Sequence, residues 1–405
     1  MTPEDRSRVV VVSQHYPPDK SGNASRIRDT CEHLTDAGWD VTVLAPPPAF
    51  PHGQFGRTWK RQTTRTDGDA TVHRLWAWQP TTENPSFPSR MAYYLLFPLH
   101  ALVWLLLNYR SYDAIVTSSP PIFTGLAGLP FGVGGRKPLV VDVRDLWIDA
   151  SVGLGFISAG GVLERVSRAY EGFLLRVADR VTVTTAVLGD RLVEQYGLDS
   201  KKITHLPNGV DTSEYRPAET ESDPTIVYTG NVGHAQALEA CVRAMAKLDH
   251  PQATLEIVGD GDIRDELESV VAENGLQQRV SFRGTVPRDA VPEILGSAAI
   301  GVAPLKDDDT LEYAVPTKAY EYMSCELPVV ATGIGEIEAL INSSGGGVFL
   351  EDDPERLADA FETLLNDTEK RDSLGAAGRE HVVEHYDRGV IARRFGELLT
   401  EVSDT

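Results

Sequence analysis

A chain of 405 residues has room for two or three domains of about 100 to 200 residues each, which excludes a mini-protein held together by disulfides. With 41% hydrophobic and 24% charged residues, 35 Gly and 25 Pro, the composition is that of a globular protein rather than a disordered or fibrous one. Fifty-nine acids against 38 bases leave a net charge of −21, which repels nucleic acid backbones and anionic headgroups and argues against broad electrostatic binding to either.

The bases are 29 Arg and only 9 Lys, a balance that suits a protein kept soluble in high salt. Cys31, Cys241 and Cys325 are far apart and odd in number, so they read as small buried thiols in a reducing compartment. Residues 1–8 are polar and lead straight into a strand, which reads as a cytoplasmic chain without a secretory leader.

In chain order, 9–13 is a β-branched strand, 15–23 a loop, and 24–36 a helix with Ile27, Cys31 and Leu34 at helical spacing. Ala37-Gly38 closes that helix, and 40–45 is the next strand. Further strands are predicted at 72–76, 114–117, 139–143 and 181–184, with helices between several of them, giving an open α/β domain. After Pro207-Asn208-Gly209-Val210-Asp211 and the acidic stretch 217–224 the pattern restarts. Strands at 225–229, 254–258, 280–283, 300–303 and 328–331 alternate with helices such as 237–247 and 263–273. The expected organisation is a domain 1–207, a domain 208–385, and a last helix near 386–405 that packs back on the first, with a cleft between the two domains.

Residues 91–107, flanked by Arg90 and Arg110, are almost wholly apolar. As a helix of 17 residues they span about 25 Å, short of a hydrocarbon core of about 30 Å. A transmembrane span therefore competes with a buried helix and with a helix lying in a membrane interface, Tyr93, Tyr94 and Trp104 at headgroup depth.

Three segments carry candidate chemistry. Ser21-Gly22-Asn23 precedes a helix, where small residues and the positive helix end make a phosphate cradle, or simply a turn. Val140-Val141-Asp142-Val143-Arg144-Asp145 places three charges at the carboxyl end of an apolar strand: Arg144 to hold a phosphate or carboxylate and Asp145 to orient it or a sugar hydroxyl, or an ion pair capping the next helix. Val315-Pro316-Thr317-Lys318 enters a helix with Glu321 one turn later. Phosphates at Thr317 and Lys318 and a ribose at Glu321 compete there with a surface Lys318–Glu321 pair. Asp307-Asp308-Asp309 reads as a solvated loop, the ten His make no metal-ligand spacing, and no Ser sits in G-x-S-x-G.

These residues, with Tyr16-Pro17-Pro18, Leu206-Pro207-Asn208-Gly209-Val210-Asp211 and Val258-Gly259-Asp260-Gly261 in the same order, resemble glycosyltransferase family 4, in the branch similar to the fucosamine and colanic acid transferases of surface polysaccharide assembly. The resemblance implies a GT-B fold of two Rossmann-like domains. A nucleotide-sugar donor is then held mainly by the second domain and a glycan or lipid-linked acceptor by the first, and transfer retains configuration without metal or cofactor. It assigns Glu321 to the ribose and Gly22 to the diphosphate loop. The first Glu of the family's E-x7-E motif falls at Tyr313, and the usual diphosphate-gripping Arg and Lys fall at Asn231 and Gln236, which leaves Lys318 and Arg144 as the cations. Two other classes remain: a nucleotide-sugar epimerase or hydrolase on the same fold, and a non-enzymatic two-domain sugar-binding protein.

Overall fold

The computed structural model describes residues 7–60, 62–67, 70–82, 85–135, 137–153, 155–218 and 223–404, with backbone alone at 62–67. Part of the acidic stretch 217–224 and the polar start 1–6 lie outside the described residues. The chain divides into two compact units, Met1–Pro207 with Ile391–Thr405, and Asn208–Val390.

The strands of the first unit are β1 (Arg8–Val12), β2 (Asp40–Ala45), β3 (Gln62–Asp67), β4 (Ala70–Leu75), β5 (Ala114–Ser119), β6 (Leu139–Val143), β7 (Arg180–Val183) and β8 (Ile203–His205). They form one sheet in the order β3-β4-β2-β1-β5-β6-β7-β8, parallel except for the β3–β4 pair. The near-continuous Val of β1 follows from burial on both faces of a parallel sheet. Its helices are α1 (Gly22–Asp36), α2 (Phe87–Leu107), α3 (Gly125–Gly134), α4 (Trp147–Gly153), α5 (Val162–Val177) and α6 (Ala186–Tyr196). From β1 the chain goes to β2 on one side and later returns to β5 on the other, so the switch point lies between β1 and β5. Ligands bind at such points, outside the carboxyl ends of the strands.

The second unit repeats the design with six parallel strands, β9 (Thr225–Thr229), β10 (Thr254–Val258), β11 (Val280–Gly284), β12 (Ile300–Pro304), β13 (Val329–Thr332) and β14 (Gly347–Phe349), ordered β11-β10-β9-β12-β13-β14. Its helices are α7 (Leu238–Lys247), α8 (Arg264–Glu273), α9 (Val291–Gly296), α10 (Thr317–Ser324), α11 (Glu336–Ser344), α12 (Pro354–Asn366) and α13 (Thr368–His385). Two cores cover the sheet faces, one through Tyr228, Cys241 and Phe361, the other through Tyr320, Tyr322 and Met323. The switch point is between β9 and β12.

The last helix, α14 (Arg388–Ser403), places Phe395, Leu398, Leu399 and Val402 in the first unit's core with Val9, Ile27 and Trp39. Gly396 is the contact point, since a Cβ there would lie 2.8 Å from the Trp39 indole nitrogen. All three cysteines are free and buried, and burial raises each thiol's pKa, that of Cys241 and Cys325 to about 12.

The apolar segment 91–107 belongs to α2, which begins earlier, at Phe87, and runs 21 residues. At 1.5 Å each it spans about 31 Å, so the argument from shortness fails. Packing replaces it: Tyr93, Phe97, Ala101, Trp104 and Leu105 are buried in the first unit. Tyr93 and Trp104 therefore do not stand at headgroup depth. The outward face is Leu95, Leu99, Val103, Leu106 and Leu107.

Candidate functional site

In the second unit β9 delivers the chain to Gly230, whose φ is +128° and whose N–H donates to Val258 O at 2.8 Å. A Cβ on Gly259 would lie 1.8 Å from Gly230 O, and one on Gly261 2.3 Å from Val232 O. Val232 N–H donates to Asp260 O at 2.9 Å. Gly259-Asp260-Gly261 is thus the backbone support of the 230–232 loop, possible only without side chains at the two glycines. Asn231 is exposed at the tip of that loop, and its carbonyl accepts the Tyr228 hydroxyl.

Helix α10 is stapled to the same loop. Tyr322 is fully buried and its hydroxyl accepts the Thr229 N–H at 2.8 Å. Gly301 in β12 makes room for the ring, because a Cβ there would lie 2.4 Å from it. Pro316 opens α10 without a side-chain cap, so the first-turn N–H groups at Thr317 and Lys318 keep their positive potential for an anion.

Lys318 is buried, 8% exposed, which excludes the surface Lys318–Glu321 pair. Its Nζ lies 3.7 Å from the Tyr228 ring centroid and donates to Gln236 Oε1 at 3.3 Å. A Cβ on Gly230 would come within 3.2 Å of it. Burial pushes the ammonium pKa down to about 7, with Glu321 and Cys241 pulling the other way. No carboxylate forms an ion pair with it among the described residues, so the charge has a cation–π face and one amide oxygen but no counter-ion.

Glu321 sits one turn further into α10, half-buried. Burial raises its pKa, while Arg288, Arg388 and Lys318 oppose the rise. Arg288 and Arg388 are 33 and 67 residues from Glu321 in sequence, so no local spacing announces them. The Tyr313 position lies in a loop packed by backbone: Glu312 O accepts the Glu336 N–H at 2.9 Å, and a Cβ on Gly335, φ +71°, would lie 2.2 Å from that oxygen.

In the first unit Ser21 caps α1, its hydroxyl accepting Ala24 N–H at 3.1 Å. A Cβ on Gly22 meets nothing within 4 Å, so the protein itself does not require glycine there and the space in front is open. Asn23 Nδ2 donates to Pro120 O at 3.2 Å, joining the two switch-point loops. Asp142 is a carboxylate that orients Arg144. Arg144 Nε donates to Asp142 Oδ2, both side chains are less than a tenth exposed, and Asp142 Oδ1 accepts the Thr182 hydroxyl at 2.8 Å. Asp145 is half-buried beside them, its carbonyl accepting Trp147 N–H at 3.0 Å.

Asp308 closes a single turn by accepting the Thr310 N–H and hydroxyl at 2.8 and 2.7 Å. Among the described residues no three His, Cys, Asp or Glu side chains stand together as a metal site.

Against known proteins, the family described as "Glycosyl transferase 4-like domain" matches residues 21–209 and that described as "Glycosyl transferases group 1" matches 223–367. The putative colanic acid biosynthesis glycosyl transferase WcaI of Escherichia coli K12 is 25% identical over 71% of this chain and 74% of its own. Glycogen synthase of Mycobacterium tuberculosis is 24% identical over 96% and 94%. Among solved structures, sucrose-phosphate synthase of Thermosynechococcus elongatus superposes with TM-score 0.75 at 20% identity, covering 98% of this chain and 99% of that one. Anabaena HepE, solved in complex with UDP, gives TM-score 0.69 at 16% identity, covering 98% and 100%. With two parallel α/β units that match these families in order, the chain belongs to the group 1, family 4 glycosyltransferases of GT-B fold.

Proposed function

We propose that this glycosyltransferase moves a sugar from a nucleotide-sugar to a glycan or lipid-linked acceptor of surface polysaccharide assembly, with retention of configuration and without metal. The observation that carries the donor half is Lys318, a buried cation without a counter-ion, beside an uncapped helix N-terminus at the second unit's switch point. A diphosphate leaving group supplies the missing negative charge. As the sugar–phosphate bond breaks, Lys318 and the α10 N–H groups neutralise the charge that develops on the diphosphate, so they act more strongly on the transition state than on the bound donor. Glu321 holds the ribose diol one turn along, and Thr317 and Asn231 flank the phosphates. The Ser21-Gly22 loop and Arg144, oriented by Asp142, stand at the carboxyl ends of the first unit's own strands, and that unit receives the acceptor. No side chain here is an obvious nucleophile, so attack on the donor's own face, guided by its phosphate, supports retention. The complexes of Anabaena HepE with UDP and with UDP-glucose and the colanic acid assignment of the Escherichia coli relative support these substrate classes.

Incubation with UDP-, GDP- and dTDP-sugars, with and without a lipid-linked glycan, tests the reading. Transfer only in the presence of acceptor, with the donor's anomeric configuration retained in the product by NMR, is expected. Free sugar or an epimerised donor formed without acceptor marks the hydrolase or epimerase instead, and donor binding without turnover marks a binding protein.

The acceptor's lipid implies a membrane, and the first unit has a face for one. Helix α2 packs on α3 and α3 on α5, and all three expose apolar side chains: Leu99, Val103, Leu106 and Leu107 from α2, Val133 from α3, Val162, Val166 and Phe173 from α5. Leu107 is 81% and Val162 77% exposed. Inserting four such side chains, each between half and four-fifths exposed, contributes roughly 4 to 7 kcal/mol at about 1.5 to 3 kcal/mol for a fully exposed one, against the repulsion of a −21 chain that salt screens. The protein is then peripheral on the cytoplasmic leaflet. Binding to phosphatidylethanolamine–phosphatidylglycerol vesicles should persist in high salt and fall at least tenfold when Leu99, Val103 and Leu106 are all changed to Ser. A wild-type protein that stays in the supernatant at every salt concentration overturns membrane contact through this face.

A further inference from the structure

The apolar face of the first unit leads into a cavity of about 280 Å³ lined by Phe50, His52, Tyr94, Phe123, Trp147 and Phe156. Tyr94 stacks on Phe123 at 5.9 Å between centroids, and Trp147 meets Phe123 and Tyr94 edge-on at 5.4 and 6.1 Å. Phe87, Phe156 and Leu163 both line the cavity and stand exposed beside it. Its rim is therefore carried in part by α2 and α5, two of the helices that expose the apolar face.

Among the described residues, Arg90 is the Arg or Lys that lines it. Arg90 lies over the Phe156 ring at 4.8 Å and has no acidic partner among the described residues, although acids outnumber bases 59 to 38 in this chain. It is close enough to His52 and Tyr94 for its charge to act on both: burial lowers the His52 pKa and Arg90 adds to that, while burial raises the Tyr94 pKa and Arg90 opposes the rise. An Arg above aromatic walls is the arrangement that receives an anion attached to an apolar group.

Behind the wall lies a polar cluster at the carboxyl end of β1. His15 meets Phe50 edge-on at 5.4 Å and neighbours Tyr93 at 6.3 Å, and Tyr93 packs against His52 at 5.4 Å. His15 Nδ1 is 3.6 Å from Asp19 Oδ2. Gln14 Oε1, His15 Nδ1, Asp19 Oδ2 and the Tyr93 hydroxyl are all buried without a hydrogen-bond partner. Buried groups left unpaired in this way call for a ligand or water to meet them.

We propose that this cavity is the subsite for the lipid-phosphate end of the acceptor. The first apolar segment of the lipid lies among Tyr94, Phe123 and Trp147, its phosphate pairs with Arg90, and its sugar extends past His52 toward the His15–Asp19 cluster. The order apolar, anionic, polar along the site is the order of groups in a lipid-phosphate-sugar. This assignment rests on the reading of the protein as a transferase acting on a lipid-linked acceptor.

Calorimetry on the full chain with octyl phosphate, octanol and inorganic phosphate, all below micelle formation, tests it, with UDP titrated into the same samples. Octyl phosphate should bind at least tenfold more tightly than either octanol or inorganic phosphate. Arg90→Ala should bring it down to the level of octanol while leaving octanol unchanged, which shows that the cavity is still formed. Ala150→Trp, a substitution at an exposed position on the cavity wall, should abolish binding of both alkyl ligands. Octyl phosphate that binds no better than inorganic phosphate, or an Arg90→Ala variant indistinguishable from wild type, overturns the subsite. The UDP arm separates the two readings: loss of UDP binding with octyl phosphate retained defeats the donor assignment and spares the cavity, and the converse defeats the cavity alone.

Discussion

Replacing Lys318 by Met should lower turnover by about 10² to 10³ while the protein stays folded. The stability side follows from burial. An ammonium whose pKa is pushed down to about 7 destabilises the folded state at and below neutral pH. That penalty lessens as pH rises from about 7 toward the unfolded value near 10.4 and vanishes above it. An apolar side chain of similar length removes the penalty, so melting of Lys318→Met should be no lower than wild type at pH 7 and the gap should close by pH 10. The binding side has the opposite pH trend. A diphosphate placed against Nζ favours the charged form, so UDP binding at pH 8 should take up close to one proton, read as a dependence of calorimetric enthalpy on the ionisation enthalpy of the buffer. Affinity should fall by up to about tenfold per pH unit above 7. Both the proton uptake and the pH slope should be absent in Lys318→Met. A wild-type protein that binds UDP without proton uptake at pH 8 places the phosphates away from Lys318, and Asn231 becomes the residue to change next.

The repeating α/β pattern was legible because parallel strands buried on both faces are written as unbroken apolar runs, as in Val9-Val10-Val11-Val12, and because Ile27, Cys31 and Leu34 mark the inward face of α1. The strands that escaped notice have no such run: β8 and β14 are three residues long, and β3 is the polar antiparallel edge Gln62–Asp67. In the site, the positions of Thr317, Lys318 and Glu321 on one short helix were readable from spacing. The burial of Lys318 was not, since it depends on Tyr228 and Gln236, some 80 to 90 residues earlier in the chain. Arg144 shows the same limit at short range. Sequence points to the adjacent Asp145, and the pairing of Arg144 with Asp142 is visible only in the fold. Side chains at i and i+2 share a strand face, and Thr182 on the neighbouring strand holds Asp142 in place. Arg144→Ala consequently strands a buried carboxylate, and its effect on turnover has to be read beside a loss of stability. Helix α2 is apolar all round its circumference, so periodicity has no contrast with which to separate the face in the core from the face outside.

Glu321→Ala should weaken UDP binding by roughly 1.5 to 3 kcal/mol, a loss of about 10- to 150-fold in affinity, with little change in melting temperature. The carboxylate offers two oxygens to a vicinal diol, and burial makes each hydrogen bond stronger than it is in water. Glu321→Gln keeps the shape and one acceptor, so it should recover part of the loss for UDP. The partial recovery separates hydrogen bonding from charge. The surroundings set a second expectation. Arg288 and Arg388 act on Glu321 against the upward pull of burial, so removing Glu321 leaves two cations with less negative charge nearby. Affinity for inorganic pyrophosphate, which lacks the ribose, should therefore stay the same or rise in Glu321→Ala while affinity for UDP falls. Because Glu321 carries a raised pKa, acidification protonates it in the free protein before ordinary surface carboxylates. The UDP affinity of wild type should then decline on the acid side earlier than that of Glu321→Gln. If UDP and pyrophosphate lose affinity by the same factor, Glu321 supports the phosphate end of the site and the ribose is held elsewhere, with Arg288 the nearest candidate.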